Sequence, residues 1–249
     1  MCNPFSLEGK RILVTGASSG IGRACAIHAS RLGASVVLTG RRIAALEETL
    51  SLCHGEGHAM VAGDIAVPDF VDELAESCGR MDGLVHAAGI APMCPISMLT
   101  QEQLEDAMKT HFCAFIELMK KYSRKKYRNE RFSSVAISSV SAVVGWAGGV
   151  AYCGSKGALS ASVRALALEL ASKRIRVNAI CPSNIRTPMY EAGASEMNNE
   201  ESLRNLLNKQ PLGLGEPDQV ALPACFLLSD AASFITGINL PVDGGYLAQ

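Results

Sequence analysis

The sequence lacks an apolar run of the roughly 20 residues that a bilayer-spanning helix needs, because charged and polar residues interrupt every hydrophobic stretch. That argues against a helical membrane span. The start, MCNPFSLEGK, carries no apolar stretch of the kind a secretory signal requires, which predicts a cytoplasmic protein. An excess of one charge is also missing: 23 basic against 24 acidic residues give a formal net charge of -1, so no global field draws the chain to nucleic acid or to an anionic membrane. Paired cysteines are absent as well. The nine cysteines (Cys2, Cys25, Cys53, Cys78, Cys94, Cys113, Cys153, Cys181 and Cys225) are odd in number and form no Cys-x-x-Cys, which predicts reduced, mostly buried thiols and no metal site. Cys153 and Cys181 fall near the chemistry argued below, but no base or ligand set accompanies either.

One local run of charge, 120-KKYSRKKYRNER-131, interleaves cations with Tyr122 and Tyr127, a pattern that single-stranded nucleic acid can use. The same run closes a helical stretch that Thr100 and Gln103 open as a capping box, and cations are favourable at a helix C-terminus. A solvated helix end is the expectation.

Short apolar strands are expected at Arg11 to Thr15, Ser35 to Thr39, Ala59 to Ala62, Gly83 to Ala87, Ser133 to Ser138, Arg176 to Ile180 and Asn239 to Val242. Helical stretches start near Gly20, Arg42, Pro68, Gln101, Ala151 and Asp218. This alternation describes an α/β chain of βαβ units around a mostly parallel sheet. With 249 residues, a single domain over 1–249 is expected. Residues 188–213 break the rhythm with polar, Gly- and Ala-containing sequence, and are expected to form a mobile lid over a substrate. Met189, Tyr190 and Met197, with Met93 and Trp146, would give that pocket an apolar lining.

Two constellations carry chemistry. Ile12-Leu13-Val14 leads into 15-TGASSGIG-22 and then an amphipathic helix, so strand, glycine turn and helix follow one another. Gly16 permits the tight turn, Gly20 lets backbone approach a phosphate, and Gly22 allows the helix to pack closely on the sheet. Free N–H groups at the helix start suit a diphosphate. No Gly-Lys-Ser/Thr follows, which excludes a Walker loop. The second constellation is Ser139 ahead of Tyr152-x-x-x-Lys156. Helical spacing places Tyr152 and Lys156 one turn apart on one face, where a nearby ammonium lowers the proton affinity of a phenol. A hydroxyl, a tunable phenol and an ammonium suit carbonyl and alcohol redox chemistry.

From about Leu7 to Leu247 the chain resembles the short-chain dehydrogenase/reductase family. The resemblance rests on TGASSGIG, Asp64 after the third strand, Ser139 with Tyr152 and Lys156, RVNAI before Cys181-Pro182, and TGINLPVDGG at Thr236 to Gly245. It is especially similar to the branch that includes 3-oxoacyl-carrier-protein reductases. What the resemblance implies is a Rossmann-type doubly wound sheet of about seven parallel strands, usually in a homotetramer built through the Tyr152 helix and the C-terminal region. It implies that Tyr152 exchanges the substrate proton, Ser139 holds the substrate oxygen, and Lys156 lowers the phenol's proton affinity and binds the nicotinamide ribose. Gly16, Ser18, Ser19, Gly20, Ile21, Gly22, Asp64, Ile65, Ala88, Gly89, Pro182, Ser183, Ile185 and Thr187 would contact the cofactor, together with Tyr152 and Lys156. At the end of the second strand Gly40 replaces the acidic residue that would accept the ribose hydroxyls of NAD, while Arg41 and Arg42 offer forks of donors to a 2′-phosphate. NADPH is therefore expected over NADH.

The expected activity is NADPH-dependent hydride transfer to a ketone or aldehyde, reversible with the alcohol, with a 3-oxoacyl thioester among the candidates. The alternatives are a sugar-alcohol or hydroxysteroid dehydrogenase and a non-catalytic NADP(H)-binding scaffold or sensor. Three departures from the family pattern bear on this. Ala87-Ala88-Gly89 stands where Asn-Ala-Gly is usual, removing an amide that braces the loop. Pro182-Ser183 stands for Pro-Gly, so Ser183 is expected to narrow the nicotinamide site or add a hydrogen bond there. His111 stands for the Asn that completes the catalytic tetrad. Its imidazole is expected to take over the proton relay to solvent, or else to face solvent or bond a local carbonyl.

Overall fold

The computed structural model describes residues 3–194, 204 and 208–248. Seven parallel strands form one sheet: β1 (Arg11–Thr15), β2 (Ser35–Gly40), β3 (Ala59–Ala62), β4 (Met81–His86), β5 (Arg128–Ile137), β6 (Ile175–Pro182) and β7 (Asn239–Val242). Their spatial order is β3-β2-β1-β4-β5-β6-β7, so the order reverses between β1 and β4.

Period-two alternation explains why both faces are dry. Ile12, Val14, Val36, Leu38 and Val85 point to one face and pack on α1 (Gly20–Arg31), α2 (Ile43–Ser51) and α8 (Pro217–Leu228). Leu13, Val37, Leu84, Val177 and Ala179 point to the other, against α3 (Pro68–Cys78), α5 (Ala114–Tyr122) and α6 (Val150–Leu170). A parallel sheet buried on both faces needs such near-continuous apolar strands.

Between α4 (Gln101–Met108) and α5 lies one π-helical turn, Lys109–Cys113, which the sequence pattern did not announce. The Thr100–Gln103 capping box opens α4 as expected. The basic run, however, is not a single solvated helix end. Helix α5 stops at Tyr122, and Arg128 to Arg131 already belong to β5, which starts five residues before the expected Ser133. Tyr122 is fully buried and stacks on Phe132 at 5.0 Å. Tyr127 is also buried, and Lys120, Lys121 and Lys126 pair with Glu117, Asp72 and Glu76. The two aromatic rings belong to the core, where no base can stack on them.

Within the expected lid, α7 (Pro188–Ala194) is a short helix. Met197 lies outside the described residues. Among the described residues no helix is long and apolar enough to cross a membrane, and no three His, Cys, Asp or Glu side chains are grouped to hold a metal.

The turn after β1 has no room for side chains at Gly16 and Gly22. Gly16 holds φ +66°, and a Cβ there would lie 2.7 Å from the Ala87 carbonyl oxygen; a Cβ on Gly22 would collide with the Gly16 carbonyl. Gly22→Ala should therefore cost about 1–3 kcal/mol as an overpacked site. A thermal melt should show a loss of several degrees, whereas Gly145→Ala, where nothing lies within 4 Å of the added Cβ, should melt like the parent. Equal melting of the two variants would contradict this packing.

Candidate active site

A cleft of about 1250 Å³ opens along the carboxyl edge of the sheet, where the strand order reverses. Open α/β sheets place ligands there because loops from neighbouring strands splay apart at the reversal. The loops after β1, β2, β3, β4, β5 and β6 all reach it. Gly16, Ser18, Ser19, Gly20, Ile21, Gly22, Arg41, Arg42, Asp64, Ile65, Ala88, Gly89, His111, Ser139, Tyr152, Lys156, Pro182, Ser183, Ile185 and Thr187 all line its walls.

At one end the glycine turn leads into α1, leaving the helix N-terminus open to an anion. The Arg42 guanidinium bonds the Ser19 hydroxyl at 2.9 Å and the Ser18 hydroxyl at 3.3 Å, so both serines and a cation face the same space. Arg41 is exposed and lies 3.8 Å from the Asp64 carboxylate. Asp64 also accepts the Ala66 N–H, which shapes the turn after β3. No carboxylate follows Gly40 directly. The tight glycine backbone, the hydroxyls and the two guanidinium groups fit the phosphates of a dinucleotide.

At the other end, Ser139 sits at the end of β5, and Tyr152 and Lys156 project from the first turns of α6. The Ser139 hydroxyl accepts the Ser141 N–H at 3.1 Å and donates to the Pro182 carbonyl at a long 3.4 Å. That weak bond is readily exchanged for a substrate oxygen. Lys156 is buried, donates to the Ile137 carbonyl at 2.9 Å, and stands 5.6 Å from the Tyr152 ring centre. An ammonium has three donors, so two remain for the cleft.

Burial pushes the Lys156 ammonium down to about 7. The Tyr152 phenol does not follow the sequence expectation. Burial raises it above its ordinary value, and the Ser139 hydroxyl only partly opposes that rise. Thus Tyr152 is a protonated acid at neutral pH, and it is Lys156 that titrates there. Of the two cysteines near this chemistry, Cys181 is buried and raised by desolvation, while half-buried Cys153 points at the Val144 carbonyl at 3.7 Å.

The altered family positions have partners of their own. Loop rigidity does not depend on an amide at Ala87: the Thr15 hydroxyl accepts the Ala88 N–H at 3.1 Å and also meets His86, a residue the sequence reading passed over. A histidine closing an otherwise apolar strand, in 84-LVHAAG-89, was the available signal. His111 is fully buried, which rules out the solvent-facing reading. Its Nε2 accepts the Ile90 N–H at 3.0 Å and its Nδ1 meets Ser155 Oγ at 2.8 Å. Both ring nitrogens are therefore engaged by protein partners.

Ser183 lines the cleft, but its hydroxyl is committed elsewhere. It lies 2.9 Å from both Gln210 Oε1 and the Asp243 carbonyl, so one proton serves two acceptors. Gln210 is buried and also bonds the Asn184 N–H, side chain and carbonyl, and the Gly213 carbonyl. Asp243 in turn receives the N–H groups of Gly245 and Leu247, beside Tyr246 on the cleft wall. The loop after β6, the chain leaving 188–213 and the C-terminal segment therefore meet at one glutamine. A single Gln in a polar segment gave no sign of this.

Two outcomes follow from this geometry. The Lys156 charge is present below about pH 7 and lost above it, and a phenol that gives up its proton needs that charge. The kcat for carbonyl reduction should therefore fall as pH rises through about 7, approaching a tenfold loss per unit; a profile flat to pH 9 would sink the assignment. Gln210→Ala leaves several buried polar groups without partners, each costing about 1–3 kcal/mol. Its melting temperature should fall by several degrees, and substrate KM should rise more than kcat falls. Ser183→Gly, which removes one hydroxyl shared between two acceptors, should do less of each.

The chain matches a family model described as enoyl-(acyl carrier protein) reductase over residues 16–247. It is 35% identical to L-xylulose reductase of Bos taurus, covering 97% of this chain and 98% of that one. It is 34% identical to L-rhamnose 1-dehydrogenase (NAD(P)(+)) of a Sphingomonas strain, covering 96% of each. A solved short-chain type dehydrogenase/reductase from Mycobacterium ulcerans superposes with a TM-score of 0.89 at 32% identity, covering 98% of this chain and 92% of that chain. With the glycine turn, the Ser139, Tyr152 and Lys156 cluster and the seven-stranded parallel sheet, these likenesses establish that the chain belongs to the short-chain dehydrogenase/reductase family of NAD(P)-dependent oxidoreductases.

Proposed function

We propose that the protein is an NADPH-linked reductase of small polar ketones or aldehydes, polyhydroxy ketones foremost, that also oxidises the corresponding alcohols. The observation that carries this reading is the position of Ser139, Tyr152 and Lys156 on the wall of a cleft whose far end presents Arg41, Arg42 and the glycine turn. The relatives named for sugars support a polar substrate, as do Ser141 and Asn184 beside Met93, Trp146, Met189 and Tyr190 in the lining. Residues 188–213, beginning with α7, are proposed to close over the substrate. The exposed Gly154, Ala161, Ala165 and Leu168 on α6 support assembly as a homotetramer.

NADPH, when bound, supplies the hydride. The chain's own groups manage the substrate oxygen. Tyr152 donates its phenolic proton to that oxygen as negative charge develops there. Ser139 turns its hydroxyl from the Pro182 carbonyl to the same oxygen and holds it in line. Lys156, fixed by Ile137, stabilises the phenolate that remains and offers its free donors to a ribose hydroxyl. In the oxidative direction the same groups act in reverse.

Loss of nicotinamide absorbance should be followed with NADPH or NADH against ketoses, diketones, steroids, quinones and 3-oxoacyl thioesters. Turnover should favour ketoses or small diketones with NADPH, and Tyr152→Phe should reduce kcat by about 10²–10⁴-fold. Preference for thioesters or steroids would replace the polyhydroxy-ketone reading, and tight NADPH binding without turnover of any compound would favour a scaffold. Arg42→Ala should lower kcat/KM for NADPH by about tenfold or more, given the strength of charge-assisted bonds to a phosphate, and leave NADH little changed. Equal losses with both cofactors would refute a 2′-phosphate contact.

A further inference from the structure

We propose that His86 and His111 form a strut of two neutral imidazoles with opposite tautomers, which fixes the helix carrying Tyr152 and Lys156 against the loop after β4. The inference rests on the reading of Tyr152 and Lys156 as the reacting pair, and it makes both histidines positioning residues.

The protons can be assigned from partners that have no choice. His86 is fully buried, with Nε2 3.2 Å from the main-chain oxygen of His111 and Nδ1 3.1 Å from Thr15 Oγ1. A carbonyl only accepts, so Nε2 of His86 carries the proton and Nδ1 is bare. The Thr15 hydroxyl then donates to Nδ1 while accepting the Ala88 N–H. For His111 the logic is reversed. The Ile90 N–H only donates, so Nε2 is bare and the proton sits on Nδ1, aimed at Ser155 Oγ. The Ser155 hydroxyl donates in turn to the Tyr152 carbonyl at 2.8 Å. Every donor meets one acceptor, from the end of β1 through the end of β4 and the π-helical turn into α6.

Packing leaves the rings little freedom. A Cβ added to Gly89 would lie 3.0 Å from His111 Nε2, so the ring abuts the backbone of the loop. The edge of His111 meets the Tyr152 ring at 5.6 Å and 90°, and His86 lies 5.6 Å from Phe115. Lys156 and Tyr152 are the ionisable neighbours of this pair, and burial together with the Lys156 charge holds both imidazoles below their usual range. Protonating His111 at Nε2 would set two donors, the ring and the Ile90 N–H, against each other. The ring therefore cannot pass a proton without breaking the bond that holds the loop. Thr15, Ala88 and Gly89 line the cofactor end of the cleft and Tyr152 the substrate end, so the strut sets the distance between them.

The deciding measurement is a long-range ¹H–¹⁵N correlation spectrum of the whole protein labelled at histidine. Signals should be assigned by their loss in His86→Asn and His111→Asn. We expect an Nε2–H ring for His86 and an Nδ1–H ring for His111, neither titrating between about pH 5.5 and 8.5, where an ordinary imidazole would. The same tautomer in both rings, or titration of either, would overturn the strut. Kinetics give a second readout: His111→Leu should lower kcat by about 10²-fold through misplacement, without moving the pH limb set by Lys156. His111→Asn, which keeps one donor and one acceptor, should recover most of that loss. A shifted limb, or no recovery with Asn, would assign His111 a proton-carrying role instead. The spectrum does not depend on turnover, so an inactive Tyr152→Phe variant with intact tautomers separates the strut from the catalytic reading, and unchanged Tyr152→Phe activity would refute that reading alone.

Discussion

An ammonium group buried beneath a cleft, with one main-chain carbonyl as its hydrogen-bond partner among the described residues, is unfavourable unless something is gained by keeping it there. Lys156 occupies that position, and its neighbours are arranged around it. Its own proton affinity falls until it titrates near neutrality. Burial first, and then its charge, disfavours protonation of His86 and His111, leaving two neutral rings that serve as hydrogen-bonding spacers. A phenol raised by burial stays protonated beside a cation that is ready to stabilise its anion. This is the arrangement a proton donor to a carbonyl oxygen requires.

The sheet makes that burial possible. Because β4, β5 and β6 are covered on both faces, the helix bearing Lys156 packs against a rigid wall, and the Ile137 carbonyl at the end of β5 is held where the ammonium can reach it. Reversal of strand order between β1 and β4 opens the cleft beside this wall. The glycine turn then brings the other half of the site so close that a Cβ on Gly16 would lie 2.7 Å from the Ala87 carbonyl oxygen. The groups proposed for cofactor recognition and for proton transfer share one set of strand ends, so small shifts in one affect the other. Thr15 and Gln210 illustrate the link: each is a single side chain joining segments distant in the sequence.

Much was legible before the structure. Six of seven strand starts fell within two residues of their observed places, because buried parallel strands announce themselves as short apolar runs. The exception, β5, begins in the basic run, where Arg128 is buried beside Asn129 and Glu130 carbonyls, a use of arginine that composition does not reveal. Residues with chemistry tied to fixed spacing, such as Tyr152 and Lys156, were placed correctly on one helix. Residues whose meaning depends on a partner elsewhere were not. The sequence allows His111 a proton relay, a solvent-facing place or a bond to a local carbonyl, and only its burial excludes the second; the partners of Ser183 and the junction at Gln210 have no sign in the sequence.

The sequence by itself determined the alternating architecture, the strand–glycine–helix turn, the hydroxyl–phenol–ammonium set and the arginines after Gly40. All of these depend on local periodicity or on spacing along one element, which a linear chain records directly. Only the tertiary structure decided which groups titrate near neutrality, where the Ser183 hydroxyl points, and how His86 and His111 divide their protons. Those properties depend on desolvation and on partners contributed by strands and helices far apart in the chain, from Thr15 to Ser155, and they come into being only when the sheet closes around them.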